Sequence, residues 1–367
     1  MRFLLLLMFA LNLGAAEQTF TFDYGSSRYF LAPELWANPM ESFKLQNGRV
    51  ESVLPREDSN IHSLTHQLKA GSGSFEVSAE LGTLSESLKS NGFRVGIKSE
   101  LGDYCSALLF GKGVDAGING QGELFIANSA GAIKLTATKE LRLQLSGSVK
   151  GDTSELTLSA FGKKGLIAKI SKTVKKDLVG NIAFVGHYND KTTPQKVWLD
   201  NWQISGDKVV ERADQTFGPI LWTQYTLSRQ VVKMVALMAP IGALDSQEVA
   251  LQIKSKGTYK TIAISPIHPQ SRTAEFRLEN WNDKQDADYR IAYSFNGKEH
   301  YWAGTIRKDP IDKDLVVAGF TGNTDPAFPN NKIAENVAIQ NPDLLFFSGD
   351  QIYEKVGGYG IIRERGD

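Results

Sequence analysis

The sequence predicts a mostly β chain, two successive sandwiches followed by a single βαβ unit. Three observations predict it. Short runs with period-two alternation recur from residue 17 to residue 308, set off by Gly, Asn, Ser and Asp. Helical periodicity is nearly absent from that stretch. From residue 314 onward, continuous apolar runs flank one amphipathic segment, as in parallel strands joined by a helix. A length of 367 residues suits two or three domains better than one.

The N-terminus comes first. Met1-Arg2 is a short positive start, Phe3 to Leu11 is unbroken and apolar, and Gly14-Ala15-Ala16 supplies small residues. Residues 1–16 therefore read as a secretory signal peptide cleaved after Ala16, which predicts a secreted or periplasmic protein. That run is too short to cross a bilayer and no later run is long enough, so no membrane span is expected. Lys+Arg 41 against Asp+Glu 41 leaves no basic surplus, which argues against nucleic acid as a partner. Cys105 is the only cysteine, so cores rather than an intrachain disulfide must stabilise the chain.

Residues 17–205 read as a jelly-roll sandwich. Ser74 to Leu81, Phe93 to Lys98, Leu141 to Leu145 and Glu155 to Ala160 are among its strands, with Asn47-Gly48, Asn91-Gly92 and Asn119-Gly120 as turns. Ser106 to Phe110 also reads as a strand, with Cys105 as a small buried residue. Val197 to Ile204 is expected to close a sheet through its alternate residues. Exposed aromatics of this block could line a glycan cleft, although Trp36, Trp198 and Trp202 are expected in the core. Lys163-Lys164 and Lys172 to Lys176 read as solvated faces. Gly206 to Thr216 is polar and reads as a linker.

Residues 216–308 then hold six or so strands, from Val231–Met238 to His300–Ile306, the size of a fibronectin/Ig-like sandwich. Tyr289, Ile291 and Tyr293 share one face and suit a core. A second charged boundary precedes residues 314–367. There Leu315 to Ala318 and Leu344 to Phe347 read as buried parallel strands, and Asn331 to Gln340 as the crossover helix.

The candidate chemistry lies in this last unit. In open α/β sheets ligands bind beyond the carboxyl ends of the strands. Asp350 follows such an end after Gly349, and a carboxylate there is a hard ligand able to bridge two cations. Tyr353 brings a phenol oxygen suited to ferric iron. Asn323 and Asp325 lie in the loop after the first strand and form a possible active-site loop. Asp343 precedes its strand and is expected to point away. His62, His66, His187, His268 and His300 show no ligand spacing. The terminal Arg365-Gly366-Asp367 reads as incidental.

Val317 to Asn330 (VAGFTGNTDPAFPN) and Asn341 to Gly360 (NPDLLFFSGDQIYEKVGGYG) resemble the opening motifs of PhoD-like (alkaline phosphatase D) metallophosphatases. The resemblance implies that Asp350 and Tyr353 are metal ligands, with Tyr353 on a ferric ion. It implies phosphate-ester hydrolysis helped by iron and calcium. The middle block resembles the β-domain that precedes such catalytic domains, and the first block resembles a concanavalin A-like or LamG-type jelly roll. The fold expected is thus a jelly-roll sandwich, a fibronectin/Ig-like sandwich, and the first βαβ unit of a truncated α/β metallophosphoesterase domain. Two departures stand out. Gly319 occupies a position where the family often has a Cys ligand, and no His follows His300. Two ligands cannot hold two cations, so the chain is expected to be the N-terminal, inactive portion of an exported phosphoesterase. The alternative is a secreted module whose jelly roll binds a glycan or surface ligand without catalysis.

Overall fold

The computed structural model describes residues 16–135, 138–322 and 331–349. The leader expected over residues 1–16 lies outside these, apart from Ala16. The chain is mostly β. In the first sandwich, sheet A runs in spatial order β13 (Gly165–Val174), β12 (Thr153–Gly162), β11 (Glu140–Lys150), β6 (Gly73–Thr83), β15 (Val197–Gly206), β4 (Arg49–Ser52) and β3 (Phe43–Gln46). β1 (Ala16–Phe20) also pairs with β15. Sheet B runs β10 (Ser129–Lys134), β9 (Glu123–Ile126), β8 (Lys112–Ile118), β7 (Asn91–Lys98), β14 (Gly180–Val185), β5 (Asn60–Leu68) and β16 (Val209–Glu211). β2 (Leu35–Asn38) pairs with the other end of the β5 edge.

Alternation decides what fills the space between the sheets. Val77, Leu143, Leu145 and Leu199 from sheet A meet Ile61, Phe93, Val95 and Phe184 from sheet B, all buried. Their sequence neighbours face outward, as period two requires. Burying each of these side chains contributes about 1.5–3 kcal/mol.

Three sequence expectations need correction. The run Ser106 to Phe110 is not a strand: Tyr104–Phe110 is a helix, α1. Asp103 caps it, its Oδ1 accepting from Ser106 N at 2.8 Å and its Oδ2 from Ser106 Oγ at 2.7 Å. Ala107 then packs on Ile97 and Ala183, a small satellite core on the outside of sheet B. Cys105 is consequently only half-buried. Gly206 to Thr216 is not a free linker, because β15 continues to Gly206 and β16 pairs with β5. β15 does not alternate strictly either. Its register on β6 shifts between Asp200 and Gln203, where Asn201 takes φ 47°. This bulge turns Trp202 into the core and leaves Trp198 outside.

The second sandwich faces sheet C, β17 (Ile220–Ser228), β18 (Val231–Met238) and β21 (Thr273–Leu278), against sheet D. Sheet D runs β20 (Thr258–Pro266), β19 (Glu248–Ser255), β22 (Ala287–Phe295) and β23 (Lys298–Ile306). Tyr289, Ile291 and Tyr293 are buried between them with Met234 and Phe276.

The two sandwiches meet through residues 24–36. Phe30 is buried in the second core, 5.2 Å from the Phe295 ring. Trp36 meets Phe217 edge-on at 4.6 Å, so it packs at the junction rather than inside the first core. Arg28 is buried there. Its guanidinium donates to Asp245 Oδ1 at 3.0 Å and to Phe30 O at 2.9 Å, over the Phe295 ring. Burial pulls its pKa below the ordinary value, with Asp245 opposing.

Beyond the second sandwich, β24 (Val317–Phe320) and β25 (Leu344–Phe347) pair in parallel, with helix α2 (Asn331–Gln340) between them in the chain. The strands are parallel as the sequence predicts, but they are not buried. All four residues of β25 are exposed, because no described element covers them.

Candidate functional site

Sheet A presents an uncovered outer face whose residues are aligned by register. Ser171, Thr157, Ser146, Glu76 and Ser205 form one row across β13, β12, β11, β6 and β15. Lys169, Ser159, Gln144, Ser78 and Gln203 form the next, and Phe161, Arg142, Glu80 and Asp200 the third. Hydrogen bonds tie the rows together: Gln144 donates to Glu76 Oε2 at 2.8 Å, and Arg142 donates to Ser78 Oγ at 3.2 Å. Burial, followed by Glu80, raises the Asp200 carboxyl above its ordinary pKa, with the Asn201 backbone N–H opposing.

Two hollows lie on this face. One, of about 410 Å³, is lined by Ser74, Glu76, Ser146, Thr157 and Ser205. The other, of about 380 Å³, is lined by Glu80, Arg142, Phe161, Lys163 and Trp198. Trp198 lies across Gly82, where a Cβ would fall inside the indole, so only glycine admits that ring position. Arg49 sits over the indole at 4.7 Å, and its Nε donates to Glu51 at 2.7 Å. Burial works against the Glu51 charge, but hydrogen bonds from Gln46, Arg49 and Asn47 more than offset it and lower the pKa.

A third hollow, of about 260 Å³, lies on the opposite outer face, over sheet B. His62 and Arg94, two members of one register row, line it. Trp36, His62, Ala183, Arg94 and Asp115 pair in succession across β2, β5, β14, β7 and β8. Paired residues point to one face, and Ala107 of α1 covers the short Ala183 side chain between His62 and Arg94. Ala107, Leu108 and Leu109 roof the hollow beside it, and Asn38 Nδ2 donates to Leu108 O at 2.9 Å. Arg94 is held by Asp115 (Nε to Oδ1, 2.6 Å) and Asp58 (Nη2 to Oδ1, 2.8 Å). Burial opposes its charge, yet these carboxylates raise its pKa above the ordinary arginine value. His62 is buried, and desolvation with nearby Arg94 lowers its pKa to about 3, so the ring is neutral.

The metal residues expected from the sequence, Asp350 and Tyr353, lie outside the described residues, as do Asn323 and Asp325 of the loop. The strand ends that lead to them are described. Phe320 and Phe347 are register partners with stacked rings 4.8 Å apart, and Ser348 N donates to Phe320 O at 2.9 Å. The chain therefore leaves both strands at one level of one edge. A Cβ at Gly319 would meet nothing within 4 Å, so geometry there tolerates a side chain. Asp343 sits at the other end of β25. Lys313 Nζ lies 2.8 Å from its Oδ2, Val316 N donates to the same oxygen, and Lys313 with Val316 lowers its pKa. Among the described residues, no three His, Cys, Asp or Glu side chains are grouped to hold a metal ion.

Neither a scan of protein-family models nor a search of curated proteins finds a match. Solved structures do show likeness. The seed lectin of Lotus tetragonolobus is 12% identical with a TM-score of 0.32, covering 52% of this chain and 98% of the lectin. Peanut lectin with a 9mer peptide gives 11% and 0.30, over 54% and 99%. Lectin II from Ulex europaeus gives 10% and 0.31, over 52% and 97%. So distant a likeness assigns no residue and no ligand to this chain.

Sequence reasoning offered a glycan cleft on the first sandwich but did not find the residues that either face aligns. His62, Arg94 and Asp115 are far apart in sequence, and only strand register aligns them. The signal for Trp198 was present in Asn201, a residue type that tolerates left-handed backbone and so marks a bulge.

Proposed function

We propose that the first sandwich of this protein binds an extended glycan chain across the outer face of sheet A. One observation carries the reading: two hollows occupy the same face, centred on Glu76 and Glu80 of β6. Four residues of strand separate those positions by about 13 Å, the reach of a chain rather than of a single ring. Hydroxyl, amide and carboxylate groups fill the space between them, and sugar hydroxyls can donate to and accept from all three. Trp198 and Phe161 add apolar surface for the C–H faces of sugar rings. Retardation in gels cast with soluble polysaccharides tests this. The expected result is retardation by at least one polysaccharide, weakened about tenfold by Trp198→Ala. Uniform mobility across a broad panel would sink the idea.

A second reading concerns β24, α2 and β25, which we propose open a PhoD-like phosphoesterase domain of the parent protein. The observation favouring it is the parallel pairing that brings Phe320 and Phe347 level. The segments toward Asn323 and Asp325 and toward Asp350 then leave from one edge, where α/β sheets bind ligands. Asp350 and Tyr353 would help to hold iron and calcium, which when bound would supply Lewis-acid chemistry for phosphate-ester hydrolysis. The full-length gene product is expected to hydrolyse p-nitrophenyl phosphate, and Asp350→Asn to lower that activity by more than about a hundredfold. Equal activity in the variant would remove Asp350 from the site.

A further inference from the structure

We propose that the hollow between α1 and sheet B is a separate binding site for one small, neutral, polyhydroxylated molecule of monosaccharide size. It lies on the opposite side of the sandwich from the glycan face and does not depend on that reading. His62 is 3% exposed and lines the hollow. Its Nδ1 is sealed and has no hydrogen-bond partner, so a ligand reaches the ring through Nε2.

The lining selects the ligand class. Neutral imidazole offers a donor or an acceptor at Nε2, and a hydroxyl can serve that nitrogen whichever tautomer is present. Arg94 and the Asn38 and Asn189 amides add donors, and Asp58 and Glu57 add acceptors. Net charge is unwelcome in both directions. An anion entering the hollow meets Glu57 and Asp58, and a cation finds Asp58 and Asp115 already paired with Arg94 and only the exposed, solvated Glu57 left over. Ile97, Leu108 and Leu109 supply an apolar wall for the C–H side of a ring. A volume of about 260 Å³ is below the range for drug-sized ligands and suits one ring.

The test is an NMR or calorimetric titration of the whole chain. The probes are glucose, galactose, mannose and N-acetylglucosamine, with glucuronate and glucosamine as charged controls. At least one neutral sugar is expected to bind and to be preferred over both charged ones. His62→Phe is expected to weaken it about tenfold or more. Asn189→Trp, at an exposed rim position, is expected to block entry without disturbing the fold, and so serves if His62→Phe does not fold. Trp198→Ala is expected to leave this binding unchanged, which separates it from binding on sheet A. Absence of neutral-sugar binding at tens of millimolar, preference for a charged sugar, or unchanged affinity in Asn189→Trp would overturn the proposal.

Discussion

β15 and β25 are both apolar strands, yet they end in opposite environments. In β15, Leu199, Trp202 and Ile204 are completely buried, and the intervening polar residues form part of an open face. In β25, Leu344, Leu345, Phe346 and Phe347 are 48%, 51%, 58% and 51% exposed. Alternation lets one strand serve a core on one side and water on the other. A continuous apolar run needs cover on both sides, as strands of parallel sheets have. The first sandwich supplies its own cover, sheet B against sheet A. Among the described residues, the β24–β25 pair is held by strand pairing and by tethers from Arg307 and Lys313 to Asn341, Pro342 and Asp343. Burial therefore resides in the sandwiches, as do the two proposed binding faces in the first of them, and the parallel unit contributes little burial to the described fold.

Substitutions sharpen that contrast. Trp202→Ala is expected to lower stability by about 3–5 kcal/mol, because it empties the centre of the first core. Phe346→Ala, in an exposed position, is expected to stay within about 0.5 kcal/mol. Urea denaturation of the two variants measures both, and comparable losses would erase the distinction.

Arg28 tests whether the two sandwiches act as one body. Arg28→Met leaves the nearly covered Asp245 carboxylate without its partner and is expected to cost about 3 kcal/mol. Adding Asp245→Leu to that variant should restore most of the loss, since the stranded charge is then gone. A single variant as stable as the parent would show that the junction is not a stabilising contact.

Acid should act on the hollow over sheet B. His62 has a folded pKa of about 3, below its ordinary value of about 6.5. Between these values the unfolded chain binds a proton that the folded chain refuses. The His62 contribution is therefore complete above pH 6.5 and falls by about 1.4 kcal/mol per unit as pH drops toward 3. Stability curves at pH 4, 5 and 6 should be flatter by about that slope in His62→Gln. A smaller effect is expected at the roof of the hollow. Asp103→Ala removes the cap of α1 and should cost about 1 kcal/mol, read by thermal denaturation.

The architecture is most legible where one face of a strand meets water. Leu141, Leu143 and Leu145 alternate with Arg142 and Gln144, and the structure buries the first set while Arg142 is exposed and Gln144 half-buried. α1 was not legible, since a short apolar run such as Ala107 to Phe110 fits a strand as well as one helical face. The Asp103 cap, three residues before Ser106, was the overlooked signal. The binding faces were less legible still. Ser78, Gln144 and Ser159 are ordinary outward residues until register sets them side by side, and no local pattern announces a hollow beside Ala183. The converse holds for Asp350 and Tyr353, which stand out in sequence but lie outside the described residues.

The central claim is that the outer face of sheet A receives a sugar chain beside Trp198. Intrinsic fluorescence during titration with a retarding polysaccharide addresses it most directly, because Trp202 is sealed in the core and Trp198 lines the hollow. The account predicts a saturable emission change in the parent chain that disappears in Trp198→Phe. The same emission change in that variant, or binding with no change in the parent, would contradict it.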